Sequence, residues 1–201
     1  MAVTGHDPAG MLFRALDARL ASRRNPLDLM IRSFRGKHPQ IAPSAYVDPS
    51  AQVVGDVVVG ERSSIWLNVS IRGDVNSVCI GNETSIQDNT VLHVDTAVEF
   101  RLSIGDRVTV GHRVVLHGCT IENDALIGIG AIVLNGARVG QGSIVAAGAL
   151  VPEGMDVPAN SVAMGVPAKI RREVTAEERE RFRLNVDNYI RNTALYKEEP
   201  S

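Results

Sequence analysis

Aliphatic residues recur at every sixth position through most of the chain. The series begins at Ile41, passes an insertion of three residues after Ile71 and a deletion of one residue after Leu116, and ends at Val157. All twenty positions hold Val, Ile or Leu, which is too regular to arise by chance. The positions are Ile41, Val47, Val53, Val59, Ile65, Ile71, Ile80, Ile86, Leu92, Val98, Ile104, Val110, Leu116, Ile121, Ile127, Val133, Val139, Val145, Val151 and Val157.

A period of six predicts a parallel β-helix, in which each hexapeptide supplies one short strand and one corner. The aliphatic residue of each hexapeptide then points into a narrow prism and stacks on its copy in the next coil. The residue four positions later is small or β-branched, with Leu102 and Met155 as exceptions, and Gly, Asn and Asp cluster at the corners between. The pattern resembles the left-handed hexapeptide β-helix, an all-β fold, with about seven coils. A β-sandwich, the alternative, would not keep this spacing.

The ends of the chain differ from the repeat and divide it into three parts. Residues 1–40 form an N-terminal extension, 41–164 the β-helix, and 165–201 a connecting turn followed by a helix. Residues 11–24 are Arg-rich and amphipathic, which favours a short surface helix or an arm over an organelle transit segment. Thr175 and Glu178 form a capping box at the start of the C-terminal helix. We expect its apolar face to pack back along the coils or across to another subunit; that face holds Phe182, Val186, Tyr189, Ile190 and Tyr196.

The amino-acid composition is consistent with a narrow β-helix and argues against several classes of binding partner. The 201 residues are 44% hydrophobic but only 4% aromatic, and they include eighteen glycines. A net charge of −2 argues against a binder of nucleic acid or of anionic membranes. No apolar run approaches the roughly 20 residues that span a bilayer. Two cysteines, Cys79 and Cys119, predict free thiols, with a single disulfide as the alternative. Free thiols and the lack of an apolar leader predict a cytoplasmic location.

Three histidines lie inside the repeat. His93 and His117 each follow an inward aliphatic residue directly, so strand alternation turns them outward. Leu92 and Val110 are 18 residues apart, one full coil, which predicts that His93 and His112 lie at similar heights. Three imidazoles suit Zn²⁺, with Fe²⁺ and Co²⁺ as alternatives, and three ligands leave a fourth position open for an activated water. An ordinary surface residue is the simpler interpretation of any one of these histidines taken alone, whereas three in two successive coils favour a metal site.

Several segments between residues 38 and 197 resemble the gamma-class carbonic anhydrases. The two most specific are SIQDNTVLH, which ends at His93, and GHRVVLH, which ends at His117. The other matching segments are IRGD (71–74), IGIGAIVLNGA (127–137), GVPAK (165–169) and VDNYI (186–190). GVPAK and the hexapeptide pattern are shared with acyltransferases. The resemblance implies a homotrimer with the metal between subunits, held by His93 and His117 of one subunit and His112 of its neighbour.

The resemblance also implies roles for five further residues. Gln87 matches the residue that orients the metal-bound hydroxide, and Arg72 and Asp88 match a pair that holds bicarbonate and the interface. Asp74 matches an interfacial partner of an arginine, and Tyr189 an active-site tyrosine of the C-terminal helix. Each has a purely structural alternative: corner residues at Gln87 and Asp88, a surface ion pair at Arg72 and Asp74, and helix packing at Tyr189.

The expected function is a metal-dependent lyase of the carbonate dehydratase type, in which metal hydroxide attacks CO₂ and gives bicarbonate. The chain departs from the strongly active prototype of the family. It lacks the acidic loop whose glutamates shuttle protons, with Glu99 the only glutamate in the segment after His93, and Ser85 replaces an asparagine. These departures keep two alternatives open: a hexapeptide acyltransferase or acyl-CoA thioesterase, and a non-catalytic metal-containing scaffold trimer.

Overall fold

The protein is a stack of short parallel strands with one long helix laid along it. The computed structural model describes residues 30–198, so the segment at 11–24 lies outside the described residues. A short 3₁₀ helix spans Val98–Phe100, and the C-terminal helix, here α1, spans Ala176–Glu198. The strands are β1 (Ile31–Arg32), β2 (Gln40–Ile41), β3 (Tyr46–Val47), β4 (Gln52–Val59), β5 (Ser64–Ile65), β6 (Ser70–Ile80), β7 (Ser85–Ile86), β8 (Val91–His93), β9 (Leu102–Ile104), β10 (Thr109–Val110), β11 (Val115–His117), β12 (Thr120–Ile121), β13 (Leu126–Ile127), β14 (Ile132–Val133), β15 (Arg138–Val139), β16 (Ile144–Val145), β17 (Leu150–Val151), β18 (Asp156–Val157), β19 (Ser161–Met164) and β20 (Lys169–Glu173).

The strands form the three faces of a prism. Face 1 stacks the first half of β6 on β8, β11, β14 and β17, and face 2 stacks its second half on β9, β12, β15 and β18. Strand β4 pairs with β6 along both faces. Face 3 stacks β3, β5, β7, β10, β13, β16 and β19, with β20 antiparallel at its end. Seven stacked parallel strands on face 3 correspond to about seven turns, which confirms the predicted parallel β-helix.

The aliphatic positions of the repeat fill the prism. Seventeen of the twenty are at most 2% exposed, and Ile41 and Val47 at the open first end are partly buried. Each strand places its aliphatic residue against the same position of the next turn, as with Leu92 on Leu116 in face 1. Branched aliphatic side chains stack closely in this way, whereas an aromatic ring would not fit, which explains the aromatic-poor composition.

Val98 is an exception, and its assignment to the core is wrong. It lies in the 3₁₀ helix and is 83% exposed. Because β8 pairs with β11, Leu92 stacks on Leu116, which is 24 residues later instead of 18. The six additional residues are accommodated in the eight-residue loop between β8 and β9, here the 94–101 loop. An insertion of six leaves the phase of the repeat unchanged. For the same reason the pairing expected between Leu92 and Val110 is wrong, since Val110 lies in face 3 between Ile86 and Ile127.

The three-residue insertion after Ile71 forms an irregularity in β6. Gly73 pairs with Gly55 and Val78 pairs with Val57, so residues 74–77 bulge from the prism at the corner between faces 1 and 2. A β-carbon at Gly73 would lie 2.3 Å from the carbonyl oxygen of Asp56, so only glycine permits this close approach of the two strands. The bulge displaces Asp74 outward from the prism.

Helix α1 packs back along face 3 of its own chain. Its capping box is formed as predicted: the Thr175 amide donates to Glu178 Oε2 at 3.0 Å, and the Glu178 amide donates to Thr175 Oγ1 at 3.2 Å. The ring of Trp66 contacts Tyr189 and Tyr196, and Lys197 Nζ donates to the carbonyl oxygen of Ser44 at 2.8 Å. The helix therefore returns from the last turn to the first. None of the helices within residues 30–198 has the length and apolarity to cross a membrane.

Matched substitutions at Val110 and Val98 test which repeat positions are in the core. Val110 is fully buried and Val98 is 83% exposed, although the six-residue period treats them alike. We expect Val110→Ala to lower the free energy of unfolding by about 2 kcal/mol, because it removes buried methyl groups and leaves a cavity. Val98→Ala should change it by less than about 0.5 kcal/mol. Chemical denaturation of both variants measures this difference, and equal losses would contradict the assignment of the loop.

Candidate metal centre

Two of the three histidines form a pair at the corner between faces 1 and 2. His93 ends β8 and His117 ends β11, and the two residues are in register. Their inward neighbours Leu92 and Leu116 occupy the core, so alternation along the strands turns both rings outward. His93 Nδ1 lies 3.0 Å from His117 Nε2. This corner is called the His93–His117 edge below.

Asp74 and Arg72 surround the outer side of His93. His93 Nε2 lies 3.2 Å from Asp74 Oδ1, and Arg72 donates a hydrogen bond to the other oxygen of the same carboxylate. Burial lowers the pKa of His93, and the charges of Arg72 and His117 act in the same direction against the opposing effect of Asp74. Burial raises the pKa of Asp74, but hydrogen bonds from Arg72 and His93 outweigh it and hold that pKa below its usual value. A neutral imidazole beside an ionised carboxylate is the state in which histidine binds a metal.

His117 has its own partner, which the sequence analysis missed. His117 Nδ1 lies 2.6 Å from Asn135 Oδ1, and Asn135 Nδ2 donates to Asp95 Oδ2 at 3.1 Å. Asn135 follows β14 at the same corner of the next turn, where the sequence indicates only an Asn-Gly turn. The repeat itself could have located Asn135. Val133 is the aliphatic residue that stacks on Leu116, so the residues just after Val133 lie beside His117, which follows Leu116.

His112 lies at a different corner, between faces 3 and 1. It follows β10, and its Nδ1 lies 2.8 Å from Asp88 Oδ2. Gln87 on the same corner is buried, and Tyr189 approaches from α1; together with His112 they line a groove of about 500 Å³. Burial, and then the negative charge of Asp88, raises the pKa of Tyr189, so its phenol stays protonated. This corner is called the His112 edge below.

The predicted site residues therefore divide into two groups on the two edges of face 1. Within residues 30–198 of one chain, no three His, Cys, Asp or Glu side chains converge to hold a metal ion. Four of the predicted residues lie at the His93–His117 edge and four at the His112 edge. The first group is Arg72, Asp74, His93 and His117, and the second is Gln87, Asp88, His112 and Tyr189.

The histidine pair fits a tetrahedral cation. Two nitrogen ligands, each about 2.0–2.1 Å from Zn²⁺, lie about 3.3 Å apart in a tetrahedral site. The 3.0 Å between His93 Nδ1 and His117 Nε2 is close to that separation. The remaining ring nitrogens face Asp74 and Asn135, both of which can accept an N–H, so the two facing nitrogens are left with their lone pairs. The geometry of the pair is thus compatible with two ligands of one divalent cation.

The fold and the candidate site define a class of protein, a hexapeptide-repeat β-helix with outward-facing histidines. Comparison with known proteins supports the assignment to hexapeptide-repeat proteins. The family model "Bacterial transferase hexapeptide (six repeats)" matches residues 118–153. A solved hexapeptide transferase family protein from Anaplasma phagocytophilum superposes with a TM-score of 0.80 at 36% identity, covering 83% of this chain and 98% of that one.

Within that class, the curated relatives identify the family. A carbonic anhydrase of Geobacillus kaustophilus is 46% identical over 84% of this chain and 91% of its own length. The mitochondrial gamma carbonic anhydrase 2 of Arabidopsis thaliana is 43% identical over 82% of this chain, which covers 61% of the plant protein. The chain belongs to the gamma-class carbonic anhydrase family.

Proposed function

We propose that the protein is a carbonate dehydratase, a metal-dependent lyase that converts CO₂ and water to bicarbonate and a proton. The observation that carries the proposal is the histidine pair of the His93–His117 edge, whose two facing nitrogens lie 3.0 Å apart, close to the spacing of two ligands of one cation. Family membership supports the same activity, since the relatives from Geobacillus and Arabidopsis are named carbonic anhydrases.

The active form we propose is a homotrimer with its metal sites between subunits. The His93–His117 edge and the His112 edge flank the same face of the prism, face 1. When three copies surround a threefold axis with face 1 inward, the His93–His117 edge of each subunit meets the His112 edge of the next. Such a cyclic contact closes into a ring and gives one three-histidine site per subunit.

Exposed aliphatic side chains on face 1 support this assembly. Val91 and Ile132 project from face 1 and are 41% and 37% exposed. Leu67 and Ile129 add exposed apolar surface at the adjoining corner with face 3. Face 3 is covered by α1, whereas no element of residues 30–198 covers face 1. A contiguous apolar strip on a strand face is typical of a protein–protein contact.

The proposed cation is Zn²⁺, with Fe²⁺ and Co²⁺ as alternatives, held by His93, His117 and the neighbour's His112. A divalent cation there would supply Lewis-acid activation of water for attack on CO₂. Asp74 orients His93 through the 3.2 Å contact, and Asp88 orients His112 through the 2.8 Å contact.

Three other side chains serve the substrate in this proposal. The buried Gln87 offers a carboxamide that orients the attacking water, and Tyr189 offers a protonated phenol in the same groove. Arg72 keeps its guanidinium half-exposed at the opposite edge, where it can hold the bicarbonate anion. Its hydrogen bond to Asp74 fixes the position of that positive charge.

Paired assays on one sample test the reaction against its alternatives. Protein purified without oxygen should contain one divalent cation per subunit and accelerate CO₂ hydration in stopped-flow measurements. Chelation should abolish this activity, and added Zn²⁺ should restore it. Short acyl-CoA thioesters should not be hydrolysed. Thioester hydrolysis without CO₂ hydration would favour a thioesterase, and bound metal without either activity would favour a scaffold.

The proposed location is the cytoplasm. Cys79 is exposed and Cys119 is buried, and both are free thiols, as expected in a reducing compartment. Burial raises the pKa of Cys119 to about 12, so this thiol is unreactive at neutral pH.

A further inference from the structure

Asn135 contacts both a proposed metal ligand and a carboxylate, and it does so with opposite ends of its carboxamide. Its Oδ1 lies 2.6 Å from His117 Nδ1, and its Nδ2 donates to Asp95 Oδ2 at 3.1 Å. We infer that Asn135 is a positioning residue that commits His117 to bind the metal through Nε2, with Asp95 fixing the orientation of the amide. The inference rests on the proposed function, because it concerns how a ligand of that site is held.

The orientation of the amide follows from the chemistry of its two partners. An ionised carboxylate can only accept hydrogen bonds, so the NH₂ group of Asn135 must face Asp95. The carbonyl oxygen then faces His117 and accepts the hydrogen of Nδ1. A neutral imidazole carries one hydrogen, so Nε2 is left with its lone pair, and that nitrogen faces His93 at 3.0 Å. The chain of contacts from Asp95 to His117 therefore selects one tautomer and one ring orientation.

A glycine makes space for this arrangement. Gly118 follows His117 with a φ of +56°, and a β-carbon there would lie 2.6 Å from Asn135 Oδ1. The same β-carbon would lie 3.0 Å from the carbonyl oxygen of Phe100. Gly118 thus lets the Asn135 carboxamide and the 94–101 loop approach His117 together.

The 94–101 loop in turn holds Asp95 in place. Asn76 donates to the carbonyl oxygens of Ala97 at 2.9 Å and Asp95 at 3.3 Å, which ties the loop to the bulge of β6. Asp95 Oδ1 also accepts a hydrogen bond from Thr96 Oγ1 at 3.1 Å, while its Oδ2 accepts from Asn135. The loop that interrupts the repeat therefore supplies the carboxylate that orients Asn135.

Metal affinity separates this role from a structural one. We expect Asn135→Ala to bind Zn²⁺ and Co²⁺ about 10- to 100-fold more weakly than the wild type, because partners of metal-binding histidines contribute on that scale. The absorption bands of the Co²⁺ protein should shift, since His117 can then rotate or change tautomer. Asn123→Ala is the matched control, because Asn123 is a corner asparagine that accepts from the Asp106 amide, away from the histidines. Its affinity should equal that of the wild type.

A double variant, N135D/D95N, tests the direction of the hydrogen bonds. It exchanges the amide and the carboxylate, so the new carboxylate can accept from both His117 and the new amide. Affinity should return to within about threefold of the wild type, whereas N135D and D95N alone should each bind more weakly. Provided that the wild type binds metal, two results would contradict the positioning role. One is an Asn135→Ala variant with the metal affinity and Co²⁺ spectrum of the wild type. The other is a double variant that binds metal as weakly as the single variants. A wild type that binds neither cation would instead overturn the proposed function.

Discussion

Substitution of His112 by alanine is expected to remove the bound metal and CO₂ hydration without unfolding the chain. The His112 side chain is 43% exposed and contacts Asp88 within its own chain, so its loss leaves no cavity in the core. In the proposed trimer it is one of three ligands, and two histidines alone bind a divalent cation weakly. Metal analysis of the purified variant measures the loss, and circular dichroism checks the fold. Unchanged metal content would refute the three-histidine site.

Mixing subunits tests whether the site is shared between chains. His112→Ala subunits retain the His93–His117 pair, and His93→Ala/His117→Ala subunits retain His112. Either protein alone should be free of metal. If the site joins the His93–His117 edge of one subunit to the His112 edge of the next, a random one-to-one co-assembly restores about one quarter of the sites, the probability that both halves are intact. No recovery in verified mixed trimers would exclude a site built between subunits.

Substitution of Ile132 by glutamate is expected to convert the trimer to monomers and to abolish metal binding with it. Ile132 projects from face 1 and is 37% exposed in the single chain, so a charge there leaves the monomer fold unaffected. In a trimer with face 1 inward, the same carboxylate would be buried without a partner, which costs several kcal/mol in each subunit. Light scattering coupled to size-exclusion chromatography measures the mass of the particle.

Val58→Glu is the control for this experiment. Val58 is 36% exposed and projects from face 2, so it matches Ile132 in exposure and in strand context. We expect this variant to stay trimeric and to keep its metal. Dissociation by Val58→Glu, with Ile132→Glu still trimeric, would show that face 2 and not face 1 forms the contact.

The sequence predicted most of the fold because the fold is repetitive. A period of six leaves one physical solution for a run of branched aliphatic residues, and the capping box at Thr175 locates the start of the last helix. The errors at Val98 and in the pairing of Leu92 have one cause. The 94–101 loop adds six residues to its turn, the length of one repeat, so counting along the chain cannot distinguish the addition from a further strand and corner.

The candidate site was less accessible from the sequence. Alternation along the strands predicts that His93 and His117 face outward, because it depends only on their inward neighbours. The contact between Asn135 and Asp95 joins residues 40 positions apart, across the inserted loop. Its prediction would have required the correct register of every turn between them. The resemblance to a known family named the proposed ligands and the aspartates beside two of them, Asp74 and Asp88, but not Asn135 or Asp95.

Helix α1 has a mechanical consequence for the solenoid. A linear stack of turns has two free ends, and each turn contacts only its neighbours, so such a molecule can fray from either end in small steps. Here the helix starts at the last turn, and Lys197 near its end binds the carbonyl oxygens of Pro43 and Ser44 in the first turns. The two ends are thereby linked through one rigid element. The loss of a terminal turn is coupled to release of the helix, which favours a single cooperative transition over gradual fraying.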